Sequence, residues 1–216
     1  MSLKPGDLNT KRPIVVKIGG SILGDTDTTL QDLVKLQQSR IPTVVVHGGG
    51  LVISQWMGQQ GIEPTFVNGL RVTDAASMAI VTAVLCGLVN KRLVSSIQSM
   101  GGKAWGMSGV DGSMIEANIL DEDLGYVGNI VQVNPDPIYQ ALGSNYIPII
   151  APVAINPSDS IPTELNLLNL NGDTAAGEIA KAISAESIIF LTDVEGIKDS
   201  NGILIDHLTI PLGESL

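Results

Sequence analysis

The stretch Ile14-Val15-Val16-Lys17-Ile18-Gly19-Gly20-Ser21 decides how the rest of the chain is read. A run of Val and Ile around one lysine, closed by two glycines, predicts a buried parallel-sheet strand that turns directly into a helix. Lys17 falls near the carboxyl end of that strand, where open α/β sheets hold their ligands. Gly19 and Gly20 let backbone N–H groups approach an anion, and a helix N-terminus adds partial positive charge. The same residues also describe a plain strand-to-helix turn with a lysine lying along the apolar surface. The pattern then repeats. After a helix expected over Asp25 to Gln38, Thr43-Val44-Val45-Val46-His47 runs into Gly48-Gly49-Gly50 and an apolar, helical segment, Leu51 to Met57. Adjacent parallel strands would bring both glycine turns to one sheet edge as a single anion cradle. His47, at the second strand's end, reads as a structural histidine bonded to a backbone carbonyl rather than a reacting group.

Composition bounds the rest. The 216 residues are 44% hydrophobic and 16% charged, enough for one substantial core and too apolar for extensive disorder. No uninterrupted apolar run reaches the ~18 residues of a membrane span, and the first six residues lack the apolar core of a signal peptide. Cys86 is the single cysteine, so no internal disulfide or cysteine metal cluster is expected, and a reduced, cytoplasmic setting fits. A net charge of −10 argues against nucleic acid or an acidic membrane as partner. An anionic substrate would then rely on local cations and oriented amides, for which Lys17, the glycine turns and Arg71 are the candidates.

Further along, Asn68-Gly69-Leu70-Arg71-Val72-Thr73-Asp74 is a polar connection in which Thr73 or Asp74 caps the longest helix, Ala75 to Ser99. Arg71 suits bidentate capture of a carboxylate, and it also reads as an ordinary surface arginine. A third strand with glycine-rich flanks is expected within Gly101 to Gly109, and a hairpin from Met114–Leu120 and Tyr126–Val133 around a solvated acidic loop. A helix from Pro135 to Leu142 precedes one strand over Ile147 to Val153, and a short strand spans Leu165 to Leu170. In Asn169-Leu170-Asn171-Gly172-Asp173-Thr174, Asp173 is the expected N-cap of a helix to Ile183, and the asparagines alternate so as to share a strand face. Ser187 to Leu191 is expected as another buried strand. It leads into Thr192-Asp193-Val194-Glu195-Gly196-Ile197, by position either a nucleotide site or a plain β-turn.

The segments VKIGGS, VVVHGGG, NGLRVTD, GKAWGMSGVDG, LGYVGNI, NLNGDTAAGEIAKAI and LTDVEGI follow one another in the order seen in the amino acid kinase family. The chain resembles that family from Pro13 to Thr209, and within it the branch that phosphorylates N-acetyl-L-glutamate. The resemblance implies a three-layer α/β/α open sandwich around a mainly parallel sheet, as in carbamate kinase-like folds. After a leader of residues 1–12, it implies one domain over 13–216, with an acid-substrate lobe (13–170) and a nucleotide lobe (171–216). The activity implied is transfer of the γ-phosphoryl group of ATP to the side-chain carboxylate of N-acetyl-L-glutamate, in arginine biosynthesis. Lys17 would stabilise charge on the transferring group, and amides around Gly19 and Gly20 would contact the ATP phosphates. Gly49 and Gly50 would present N–H groups to the acylated amino acid, Arg71 would bind its α-carboxylate, and Asn169 would hold it from the other side. Asp173 would orient the catalytic lysines, and Thr192, Asp193, Val194, Glu195, Gly196 and Ile197 would receive the nucleotide. The hairpin near 115–133 would lid the acid substrate. Mg²⁺ would ride on the ATP phosphates, with no protein metal ligand.

The resemblance also implies a homodimer that extends the central sheet and packs the long helix, without the N-terminal helix of arginine-inhibited hexamers. The family's later nucleotide segment, with its second lysine, has no counterpart in these residues, so a C-terminal continuation is expected. Gly172 stands where alanine is commoner in the family. The alternatives are a kinase for N-acetylaminoadipate and an inactive regulator that binds an acylated amino acid.

Overall fold

The computed structural model describes residues 11–19, 28–157, 166–192, 194–199 and 201–207. Gly20, Ser21 and Asp193, all named above, lie outside those residues. The short Val/Ile runs form the strands expected of them. Ile14–Ile18 is β1 and Thr43–His47 is β2. They are followed by helices α1 (Thr29–Gln38) and α2 (Gly50–Gln59). A small antiparallel pair, β3 (Phe66–Val67) and β4 (Leu70–Arg71), precedes the long helix α3, Ala75–Ser99. Then come β5 (Ala104–Ser108), β6 (Ile115–Ile119), β7 (Gly128–Val133) and α4 (Asp136–Gly143). The last elements are β8 (Ile147–Ala151), β9 (Val153–Ile155), β10 (Leu167–Asn169), α5 (Gly172–Ala182) and β11 (Ser187–Leu191).

Five parallel strands make the main sheet, in the order β11-β1-β2-β8-β5. Strand alternation sends its side chains into two cores. Val15, Val44 and Val46 join α4 and α5 through Ile138, Ala175 and Ile179 on one face. On the other face, Val16, Ile18 and Val45 join α1, α2 and α3 through Leu33, Ile53, Leu85 and Leu93. This is an α/β protein with helices on both sides of a mainly parallel sheet. A second, four-stranded sheet, β10-β9-β6-β7, carries the β6–β7 hairpin expected near 115–133.

Two strand expectations change. The single strand over Ile147 to Val153 divides at Pro152, which has no N–H for a ladder: β8 stays in the main sheet and β9 enters the second. Among the described residues β11 lies at the sheet's edge rather than inside it, paired with β1 alone, and Ile189 and Phe190 are exposed. The run of Ile, Phe and Leu looked the same from sequence, since apolarity does not say how many neighbours a strand has. The long helix also differs in detail. Its middle, Ala83–Val89, is π-helical, and its apolar window has mean hydropathy 1.5. By length and composition it would cross a membrane, yet half of that window is buried, with Val81, Val84, Leu85, Leu93 and Ile97 in the core.

Candidate active site

Strand alternation decides where Lys17 points. It shares the face of Val15, the face that α5 covers, and sits one residue from the strand's end. The first turn of α5 therefore meets it. Lys17 Nζ lies 3.0 Å from Asp173 Oδ1, with the lysine largely enclosed and the carboxylate half-exposed. Asp173 is not the helix cap. Asn171 takes that place, its Oδ1 accepting from the N–H groups of Asp173 (2.9 Å) and Thr174 (3.0 Å). A capping side chain bonds the N–H groups two and three residues on, so the Asn171–Thr174 spacing was the sequence signal for this. Released from capping, Asp173 places a negative charge at the positive end of the helix dipole and beside a lysine. The idea that Asn169 and Asn171 serve one strand face fails for the same reason: Asn171 is spent on the cap, and only Asn169 remains in β10.

The turns converge at the carboxyl ends of the strands. Gly19 N–H donates to Leu191 O (3.1 Å), which ties the first glycine turn to the end of β11 and the start of the Thr192–Ile197 turn. Gly48 N–H donates to Ile18 O (2.8 Å), tying the second turn to the first. A Cβ on Gly172 would lie 3.7 Å from Lys17 Cε and 4.0 Å from His47 O, so the N-terminus of α5 rests against both strand ends. Within the Thr192–Ile197 turn, Val194 N–H donates to Thr192 Oγ1 at 3.4 Å, and Glu195 pairs with Lys198 at 3.1 Å. Beyond it, Lys198 and Leu204 form an isolated antiparallel bridge.

Arg71 is buried, 6% exposed, and no described carboxylate lies within 4 Å of it. Its guanidinium is held by neutral groups: Nη2 donates to Gly50 O (2.9 Å) and Ser54 Oγ (2.8 Å), and Nη1 to Met57 Sδ (3.1 Å). The Phe66 ring lies 4.7 Å from the guanidinium carbon, a cation–π contact from β3 to β4. Burial pushes the Arg71 pKa below its ordinary value, but an arginine keeps its proton in a protein. The surface-arginine reading is thereby excluded. Ser54 and Phe66 gave no sign in the sequence, since neither belongs to a glycine turn or a charged cluster.

Arg71 opens onto a cavity of about 170 Å³ lined by Gly49, Gly50, Ile53, Leu85, Asn169 and Gly172, among others. The acid-substrate residues are thus brought to one place: Gly49, Gly50, Arg71 and Asn169 share this cavity, and Gly172 leads from it to Lys17. Asn169 Nδ2 donates to Thr73 Oγ1 (3.2 Å), and Thr73 Oγ1 donates to Arg71 O (2.8 Å), which steadies the side chain facing Arg71. The Gly49 and Gly50 N–H groups make no backbone hydrogen bond to a described residue, as expected at the start of a helix. His47 is buried and neutral in character. Its Nδ1 lies 2.9 Å from Gly48 O, the backbone carbonyl partner anticipated for it, and burial pulls its pKa down to about 4.

The two glycine turns, the lysine–carboxylate pair and the buried arginine thus gather at the carboxyl ends of a parallel sheet, where open α/β proteins hold their ligands. Residues 12–210 match the amino acid kinase family, and the chain belongs to that family. Among its relatives is a protein of Dehalococcoides mccartyi named acetylglutamate kinase, 44% identical over 189 residues, which cover 88% of this chain and 70% of that one. A second acetylglutamate kinase, from Dinoroseobacter shibae, is 42% identical over 200 residues, covering 91% and 68% of the two chains. A crystal structure of a protein from Streptococcus mutans superposes with a TM-score of 0.77 at 30% identity, covering 87% of this chain and 75% of the other.

Proposed function

We propose that this chain is an acetylglutamate kinase, transferring the γ-phosphoryl group of ATP to the side-chain carboxylate of N-acetyl-L-glutamate and releasing ADP and an acyl phosphate. The observation that carries the reading is Arg71. A buried cation surrounded only by neutral partners is costly, and an anion entering the adjoining cavity would offset that cost. The α-carboxylate of an acylated amino acid has that charge and the planar geometry that a guanidinium binds bidentately. Gly49 and Gly50 N–H groups and Asn169 would hold the rest of the acid.

A carboxylate nucleophile is already deprotonated at neutral pH, so no general base is needed. The barrier comes from bringing two anions together and from charge on the phosphoryl oxygens. Lys17, next to Gly172 of the cavity wall, would face that charge, and Asp173 holds its ammonium group in place. ATP would lie along the Gly19 turn and the Thr192–Ile197 turn, with Mg²⁺ on its phosphates neutralising charge during transfer. Gly20 and Asp193 belong to the same proposed nucleotide contact. Support for a homodimer comes from β5, which ends the main sheet among the described residues and leaves Trp105 half-exposed, edge-on to Tyr146 with ring centroids 6.0 Å apart.

The test is ATP-dependent acyl phosphate formation, trapped with hydroxylamine, across N-acetylglutamate, N-acetylaminoadipate, glutamate and aspartate. Product with N-acetylglutamate alone is expected. Preference for N-acetylaminoadipate would reassign the acceptor, and binding of N-acetylglutamate without turnover would favour a regulatory protein.

A further inference from the structure

We propose that Asn90 is a positioning residue for the second glycine turn, acting through the His47 ring on the direction of the Gly49 N–H. This rests on the reading of Gly49 as a donor to the acid substrate. Asn90 is fully buried where the π-helical stretch of α3 ends. Its Nδ2 faces three acceptors: Ile149 O at 2.8 Å, His47 Nε2 at 3.2 Å and Met107 O at 3.3 Å. Its Oδ1 accepts from Lys91 Nζ at 3.0 Å. Two backbone carbonyls fix which end of the amide points inward, because a flipped amide would set oxygen against oxygen. The amide's two N–H groups are shared among these three acceptors, and an Nε2–H would meet a nitrogen that cannot accept it, so Nε2 is left bare and the ring proton sits on Nδ1, facing Gly48 O.

That tautomer has a consequence one peptide further on. His47 Nδ1–H donates to Gly48 O at 2.9 Å. Gly48 C=O and Gly49 N–H belong to one planar trans peptide and point in opposite directions. Anchoring the carbonyl on the buried ring therefore turns the Gly49 N–H away from it. The π-helical stretch braces the same peptide from the side: a Cβ on Gly49 would come within 2.6 Å of Leu85 Cδ2 and 3.4 Å of Val89 Cγ2. Burial and the nearby Lys91 both keep the ring neutral, which preserves its acceptor at Nε2. A histidine and an asparagine buried behind the turn thus set the aim of a substrate donor.

The experiment uses the whole chain with His47→Asn, His47→Gln and Asn90→Ala. Asparagine at 47 keeps a donor near the Nδ1 position, whereas glutamine keeps only an Nε2-like group. His47→Gln and Asn90→Ala should raise KM for N-acetylglutamate by about fivefold or more and leave KM for ATP within about twofold, since weakening one hydrogen bond is worth roughly that factor. His47→Asn should restore most of the loss. Nitrogen-15 NMR of the imidazole should show the Nδ1–H form in the unmodified protein and a mixture in Asn90→Ala. The Gly49 amide resonance should move in His47→Gln and stay near its place in His47→Asn. A fall in kcat with both KM values unchanged, equal effects of the two His47 variants, or an Nε2–H ring in the unmodified protein would overturn the proposal. If the unmodified protein makes no acyl phosphate, the functional reading fails, and the two NMR readings still decide the positioning. If Asn90→Ala does not fold, the paired His47 variants decide it.

Discussion

The first and second glycine turns look like copies of one device, and the structure gives them opposite characters. Both follow a five-residue parallel strand, and the two strands are paired in register from Ile14↔Thr43 to Ile18↔His47. The difference lies in where the polar residue falls. Lys17 is the fourth residue of β1, so alternation carries it to the α5 face and out to Asp173. His47 is the fifth residue of β2, so it faces α3 and is sealed against Asn90. A shift of one position separates a charge available for chemistry from a neutral ring available for architecture. The lesson is that a strand–glycine–helix pattern marks a place, and the parity of the polar residue marks its use.

The comparison breaks first at Lys17. Its replacement by alanine removes the charge proposed to face the transferring group, and kcat is expected to fall by about a thousandfold or more. Stability should change little, because the partner Asp173 is half-exposed and such pairs contribute under about 1 kcal/mol. A coupled assay together with urea unfolding measures both. Turnover within about tenfold of the unmodified enzyme would place the chemistry elsewhere and erase the contrast between the two turns.

The second turn is then tested through its arginine. Arg71 Nη2 donates to Gly50 O, so it joins the glycine turn to the proposed acid site. Arg71→Ala should raise KM for the acid by about a hundredfold, the loss expected for a charge-assisted pair, with a smaller effect on KM for ATP. Isothermal titration with the acid checks it. An unchanged affinity would return Arg71 to a packing role.

A smaller effect separates the two turns by pH. In the unfolded chain His47 titrates near its ordinary value of 6.5, and in the fold near 4. Between those values the unfolded state binds the extra proton, so this group's contribution to stability is full above 6.5 and is lost as pH falls toward 4. The 2.5-unit gap corresponds to about 3 kcal/mol at most. Urea unfolding at pH 7 and pH 4.5 should show a shallower fall for His47→Gln than for the unmodified protein. Equal slopes would mean that the ring is not held neutral.

How much of this was legible beforehand follows from the same physics. β1, β2 and the turn after β2 were readable because short Val/Ile runs closed by glycine have few other folds. The β6–β7 hairpin followed from alternation around an acidic loop. The exposure of β11 was not readable, since a strand's place in the sheet depends on partners far along the chain. The division of β8 from β9 was signalled by Pro152, yet the apolar residues on both sides hid the change of sheet. In the site, Lys17 and Arg71 stood out as cations beside glycines. Asn171 as the cap is a local feature that its spacing to Thr174 allowed, with Asp173 as the competing choice, whereas Ser54 and Phe66 around Arg71 and Asn90 behind His47 depend on three-dimensional neighbours that no spacing along the chain announces.

The smallest effect is expected at the residue that touches both turns. Gly172 opens α5 with ordinary helical backbone, and a Cβ there would meet Lys17 Cε at 3.7 Å and His47 O at 4.0 Å, both normal van der Waals distances. Nothing in the local geometry therefore requires glycine. Gly172→Ala should stabilise the fold by about 0.5 kcal/mol, by restricting the unfolded chain and favouring helix. It should leave kcat within about twofold, since the added methyl reaches only the lysine stem and not its ammonium group. Thermal unfolding and the hydroxylamine assay measure the two together. A stabilised protein with kcat reduced more than about tenfold would show that the acid or the phosphoryl group passes through the space between Lys17 and His47. The two turns would then share one reaction path rather than flank it.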